Sequence, residues 1–311
     1  MSVAMRRCAR ATRGAATVLL LATGTGCFLR KYVYHPVPVA NAIGDSTAVV
    51  AGTRLHVYAA DRWEVYGPTD VSVSMAVPQL KRVYSEFAKY FGTDGPRMAV
   101  LMADSAFALT PADAGAFATR GLHTFVYVRP RNLRDIEGVP RDLNEDEIWP
   151  VAPRAASELL AAYVEARRQR PPSVEISAHP AERHPGPFPL WFDDAVVALL
   201  SDPGAPDRVM DYLRDHLEEA PTVDDLLAMR GSTSEDTTTV RARRTVSGAA
   251  GVALTLLAID RDGPRVVERF ANAFLAGSDG WSVVRASAHL PHDAHDLERI
   301  WRVWVRDEYG R

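Results

Sequence analysis

Six prolines between Pro171 and Pro189 forbid a regular helix over that stretch and divide the chain into two unlike parts. Ahead of it the patterning is mixed. Leu55–Ala59 and Trp63–Tyr66 are short runs rich in branched and aromatic side chains, and Met98–Met102 and Thr124–Val128 are continuous apolar runs of strand length. Between them Leu80, Val83, Tyr84, Phe87 and Phe91 fall on one helical face, with Lys81, Arg82, Glu86 and Lys89 off it and Gly92 as the stop. An acidic loop from Asp142 to Glu147 follows, then a helical run from Pro153 to about Arg168. Beyond the prolines nearly everything is helical, over about 190–201, 206–219, 222–230, 243–261, 264–276 and 293–307. The expected fold class is α+β: a small N-terminal sheet with a long helix over 47–150, then a mainly helical lobe over 151–311.

The 311 residues are 47% hydrophobic and 24% charged, enough apolar content for a sizeable core. A formal net charge of −3 supplies no basic face for phosphates, so no nucleic-acid partner is expected. Gly-x-Gly-x-x-Gly, P-loop and Gly-x-Ser-x-Gly phrases are all missing, which removes the usual signatures of nucleotide binding and of a serine nucleophile elbow.

Residues 1–26 read as an export signal. Arg6, Arg7, Arg10 and Arg13 precede a short apolar run from Ala15 to Ala22, and no acidic residue occurs before Asp45. The run is far below the ~20 residues of a membrane span. Small residues then lead to Cys27, as in bacterial lipoprotein signals, although Gly24 stands where leucine is usual. Lipidation at Cys27 and plain cleavage are the two readings, and lipidation is the one carried forward. Only one other cysteine exists, Cys8, and it would leave with the signal, so neither a disulfide nor thiolate chemistry is expected of the mature chain. Phe28 rather than aspartate follows Cys27, which favours the outer membrane or the periplasmic face; residues 27–46, with Pro36 and Pro38, would be the tether.

Several phrases, in order, resemble the peptidase MA-like family of gluzincin metallopeptidases from about Arg62 to Val305. Trp63-Glu64-Val65-Tyr66 and the helix to Gly92 resemble its opening strand and helix, and Met98–Met102 with Ser105-Ala106-Phe107 resembles its next strand and turn. Pro189-Leu190-Trp191-Phe192-Asp193-Asp194-Ala195 is similar to the family phrase Pro-Arg-Trp-Leu-x-Glu-Gly, and Leu297-Glu298-Arg299-Ile300-Trp301 to its closing helix. The resemblance implies a zinc site built from His-Glu-x-x-His on the helix before the prolines and a glutamate on the helix after them, the two helices side by side. In Ser157-Glu158-Leu159-Leu160-Ala161, Glu158 matches the general base, whereas Ser157 and Ala161 stand where the histidines belong and Asp194 replaces the glutamate. Alanine has no donor and neutral serine is a poor one, so no zinc cofactor is expected at these positions. Glu158 would then be a vestigial base: zinc lowers the pKa of its bound water from about 15.7 to roughly 7, and without it there is no activated water to deprotonate.

Other candidates remain. His179 and His184, in the proline-rich segment, could join Asp193 or Asp194 in a rearranged zinc site. His292-Asp293-Ala294-His295 reads as a helix cap before a ligand pair, Trp301 and Trp304 as core, and Arg241, Arg243 and Arg244 as a solvated helix start. The leading expectation is an exported, lipid-anchored, non-catalytic protein that binds or scaffolds an envelope protein or peptide. The alternatives are a zinc metallohydrolase with nonstandard ligands and a purely structural lipoprotein.

Overall fold

The computed structural model describes residues 46–103, 109–130, 149–168, 188–229 and 239–309, with only the backbone described for 239–245 and 308. The described chain is α+β, a five-stranded sheet followed by helices. Its strands are β1 (Thr47–Val50), β2 (Thr53–Ala59), β3 (Trp63–Gly67), β4 (Met98–Met102) and β5 (Thr124–Val128), in that spatial order. The first three pair antiparallel and the last three parallel. Ala51 and Gly52 turn β1 into β2 with φ of 49° and 77°, and Val50 pairs with Thr53. A two-residue hairpin with both φ positive matches the twist of its strands, and Gly52 adopts its half of that turn without strain.

All five residues of β4 are buried, because both faces of the sheet are covered. On one face Val65, Met98, Val100 and Val126 meet helix α1 (Asp70–Phe91) and the helical lobe. On the other, Tyr66, Ala99 and Leu101 meet Phe117 of the short helix α2 (Pro111–Ala118) together with Leu109 and Leu122.

Helix α1 begins ten residues before its apolar face suggests. Thr69 and Ser72 form a reciprocal capping box, and the helix runs through Pro78 to Gly92, whose φ of 61° closes it with a bond from its N–H to Ala88 O. Beyond the sheet come α3 (Val151–Arg167), α4 (Leu190–Ser201), α5 (Ala205–Asp215), α6 (Val223–Ala228) and α7 (Thr239–Asp262). The chain closes with α8 (Val266–Leu275), α9 (Gly280–Val284), α10 (Ala294–Val303) and a π-helical turn, Trp304–Glu308. Helix α3 packs on α1, β5 and α4, and α4 packs in turn on α7. One hydrophobic cluster runs from Trp63 in the sheet to Val305 at the end of the chain, so sheet and helical lobe share a core.

Gln79 fixes the start of α3. Its amide, 1% exposed, donates to Trp149 O at 3.0 Å and to Met75 O at 3.3 Å, while its oxygen accepts from Ala152 N at 2.9 Å. Pro150 caps α3 without a side-chain bond, so Gln79 supplies the acceptor that one of the orphan amides of the first turn needs. Gln79→Leu keeps the volume but leaves that N–H buried, and a loss of about 1–3 kcal/mol is expected in urea denaturation.

Candidate functional site

Helix α3 buries the stripe Ala155, Ala156, Leu159, Leu160 and Tyr163. Ser157 and Ala161, four residues apart, share the opposite, half-buried face, with Glu158 one residue round. Three contacts hold the helix in place besides Gln79. Tyr163 donates to Asn272 Oδ1 at 2.9 Å, Arg167 pairs with Glu268 at 3.1 Å, and the Tyr163 ring packs on Phe87 and Phe91. The Tyr163 hydroxyl is raised above the usual tyrosine range, by burial first and then by the Glu268 charge.

Helix α4 lies beside α3, as the resemblance implies. It is anchored by Trp191 and Phe192, both buried against Phe274. Trp191 meets Gly251 of α7 so closely that an added Cβ at Gly251 would stand 2.6 Å from Trp191 O. Asp193 and Asp194 are half-buried and, like Glu158, engaged with other groups of the protein. Asp194 faces α7: a Cβ added at Gly248 would lie 3.7 Å from its Oδ2. It borders a groove of about 310 Å³ between α4, α5 and α7, with Arg208, Tyr212 and Val252 among its walls.

These residues do not suit zinc. Ser157 and Ala161 stand at the positions where the resemblance would put two imidazoles, and Asp194 borders the groove toward α7. Among the described residues no three His, Cys, Asp or Glu side chains are grouped so as to hold a metal ion. His179, His184 and Cys27 lie outside the described residues, as do the side chains of Arg241, Arg243 and Arg244. Asp293 caps α10, accepting from Asp296 N, while Trp301 and Trp304 are core.

Strand β5 borders α3 and, among the described residues, pairs on one side only, with β4. Among the described residues its outer edge has no partner strand, and an edge of this kind presents a row of backbone donors and acceptors.

Two polar clusters escape sequence reasoning. Glu64, buried in β3, accepts from the Tyr66 hydroxyl and pairs with Arg120 at 3.3 Å; Arg120 also donates to Tyr66 Oη at 2.8 Å. Burial and then Glu64 push the Tyr66 hydroxyl far above the usual range. Asp262, at the end of α7, is the other centre. Its carboxylate, 2% exposed, accepts from Ser287 Oγ, from Ala288 N at 3.0 Å and from His289 Nδ1, with Arg269 at 3.4 Å. No spacing announces this cluster, since Ser287, Ala288 and His289 lie 25 to 27 residues beyond Asp262 and reach it through the turn after α9.

Burial by itself would raise the Asp262 carboxyl, but the Ser287 hydroxyl, the His289 ring and the Ala288 amide outweigh it and hold the group below the usual carboxylate range. Its contribution to stability is then fully present above the unfolded-state value of about 3.9 and is lost as pH falls through the lower folded-state value. Asp262→Asn is expected to cost about 1–3 kcal/mol at pH 7, with the gap to the wild type narrowing below about pH 4. Urea melts at pH 7 and pH 3 measure both.

Comparison of the chain with protein-family models, curated proteins and solved structures gives no match.

Proposed function

We propose that this is an exported, lipid-anchored, peptidase MA-like protein that has lost peptide hydrolysis and binds an extended segment of an envelope protein or peptide. The observation that carries the reading is the residue content of the α3 face, Ser157 and Ala161 where two zinc-binding imidazoles would stand, on a helix that packs on β5, whose far side has no partner strand among the described residues. Peptide capture on a sheet edge needs only the backbone groups of β5 and pockets for alternate side chains, so it survives the loss of a metal. Glu158 is on this reading a half-buried structural carboxylate.

Incubated with fluorescein-labelled casein, an extended probe chain, the protein is expected to bind it and leave it uncut, with or without added zinc. Zinc-dependent cleavage abolished by Glu158→Gln would overturn the reading. Failure to bind casein would remove strand capture.

The anchor is tested separately. Among the described residues no helix is long and apolar enough to cross a membrane; the proposed attachment is the lipid on Cys27. Cys27→Ser is expected to move the protein from the membrane fraction to the soluble one. Unchanged membrane association would refute lipid anchoring.

A further inference from the structure

The Asp262 cluster lies beside a cavity of about 580 Å³ far along the chain from α3 and β5. This volume falls within the roughly 300–1,000 Å³ typical of small-molecule sites. Its polar wall is Asp260, Arg261, His289 and Arg299, and its apolar wall is Leu290, Pro291, Ile300 and Val303. Val303 is 40% exposed, one of the few large apolar side chains left open among the described residues.

The polar wall sets two guanidinium groups and an imidazole against one carboxylate, Asp260. The buried Asp262 carboxylate takes the Nδ1 side of the His289 ring, and the His289 side chain remains 67% exposed, so the ring offers Nε2 away from the interior. A histidine fixed at one nitrogen by a carboxylate has a set orientation at the other, and as imidazolium it donates from both. Each acid nearby already has an arginine: Asp260 has Arg261 at 3.8 Å, Asp262 has Arg269 at 3.4 Å and Asp296 has Arg299 at 3.5 Å. A guanidinium carries five N–H groups, and one carboxylate takes at most two in a fork. Arg299, 60% exposed, therefore keeps donors for a ligand after pairing with Asp296.

We propose that this cavity binds an amphipathic monocarboxylate, its headgroup on His289 Nε2 and the Arg299 guanidinium and its apolar body against Leu290, Ile300 and Val303. Charge and shape both select this class. A bare inorganic anion would leave the apolar wall wet, and an uncharged apolar molecule would leave the donors of His289 and Arg299 without an acceptor. The site is independent of the reading given to α3 and β5, and either can fail without the other.

The test is calorimetric titration of the purified protein with 4-phenylbutyrate, with 4-phenylbutan-1-ol and with inorganic phosphate. The acid is expected to bind one per chain, and the alcohol and phosphate each at least roughly tenfold more weakly. His289→Gln and Arg299→Gln are changes to exposed side chains that should leave the fold intact by circular dichroism. Each is expected to weaken the acid by about tenfold or more, as loss of a charge-assisted hydrogen bond does, and to leave the alcohol unchanged. Val303→Asn, which adds polarity without charge, should weaken both the acid and the alcohol, since both lie against the apolar wall. No binding of the acid, equal binding of acid and alcohol, or unaltered binding in the two glutamine variants would overturn the proposal.

Discussion

Gly251→Val is expected to destabilise the protein by about 3 kcal/mol or more, at the upper end of what overpacking does. The reason lies in how α4 and α7 meet. A Cβ at Gly251 would stand 2.6 Å from Trp191 O, 2.8 Å from Trp191 Cβ and 3.1 Å from Trp191 C. Two of these neighbours are backbone, and the third is bonded directly to it, so no side-chain rotation relieves the clash and the helices must part. Parting them disturbs Trp191 and Phe192, both buried against Phe274, and so the seam that joins α4 to α8. Gly248→Ala is the control one turn earlier on the same helix. The nearest atom to its new methyl is Asp194 Oδ2 at 3.7 Å, ordinary contact distance. There the gain in helix propensity, up to about 1 kcal/mol, should dominate, and the variant should be as stable as the wild type or slightly more so. Paired urea melts decide the matter: equal stability of Gly251→Val and wild type would mean that α4 and α7 are not packed as described.

Four of the five strands are announced by the sequence, β2 and β3 to within two residues of their limits. β4 and β5 match their patterned limits; β4, covered on both faces, needs no alternation, whereas in β5 only Val126 and Val128 are buried. β1 is silent because Val50 is its only buried residue. α2 is silent because small residues fill it and Phe117 alone is buried, although Thr110 and Asp113 carry the capping signature that would have placed its start. The long helix α1 reads correctly from Leu80 onward but begins at Asp70; Pro78 suggests a boundary, whereas the Thr69–Ser72 box and the buried residues Val73, Met75, Ala76 and Val77 sustain the helix ahead of it. The pattern from 206 to 219 overruns α5, which ends at Asp215 in a series of turns.

At the candidate site the legible part was chemical. That Ser157 and Ala161 cannot do the work of imidazoles follows from their identity, wherever they sit. The packing of α3 on α4 came from the resemblance, as no periodicity specifies which helices are neighbours. The orientation of Asp194 toward Gly248 depends on the rotation of α4 about its axis, fixed by Trp191 and Gly251, residues with no signature in the chain. The Asp262 cluster was out of reach for the same reason: a tertiary turn brings Ser287 and His289 to it.

On the proposed function, α3 and α4 keep the side-by-side arrangement of a zinc peptidase while their residues no longer hold the metal. Restoring the residues tests it. The triple variant Ser157→His, Ala161→His and Asp194→Glu puts two imidazoles four apart on one face of α3 and lengthens the acid on the neighbouring helix by one methylene. The measurement is the zinc content of the purified wild type and triple variant, each dialysed with zinc and then against metal-free buffer. The account predicts no retained zinc in the wild type and one zinc per chain in the variant. A folded variant that retains none would mean that α3 and α4 do not hold the parental register, and stoichiometric zinc in the wild type, lost on His179→Ala, would show that the protein is a metalloprotein with a different set of ligands.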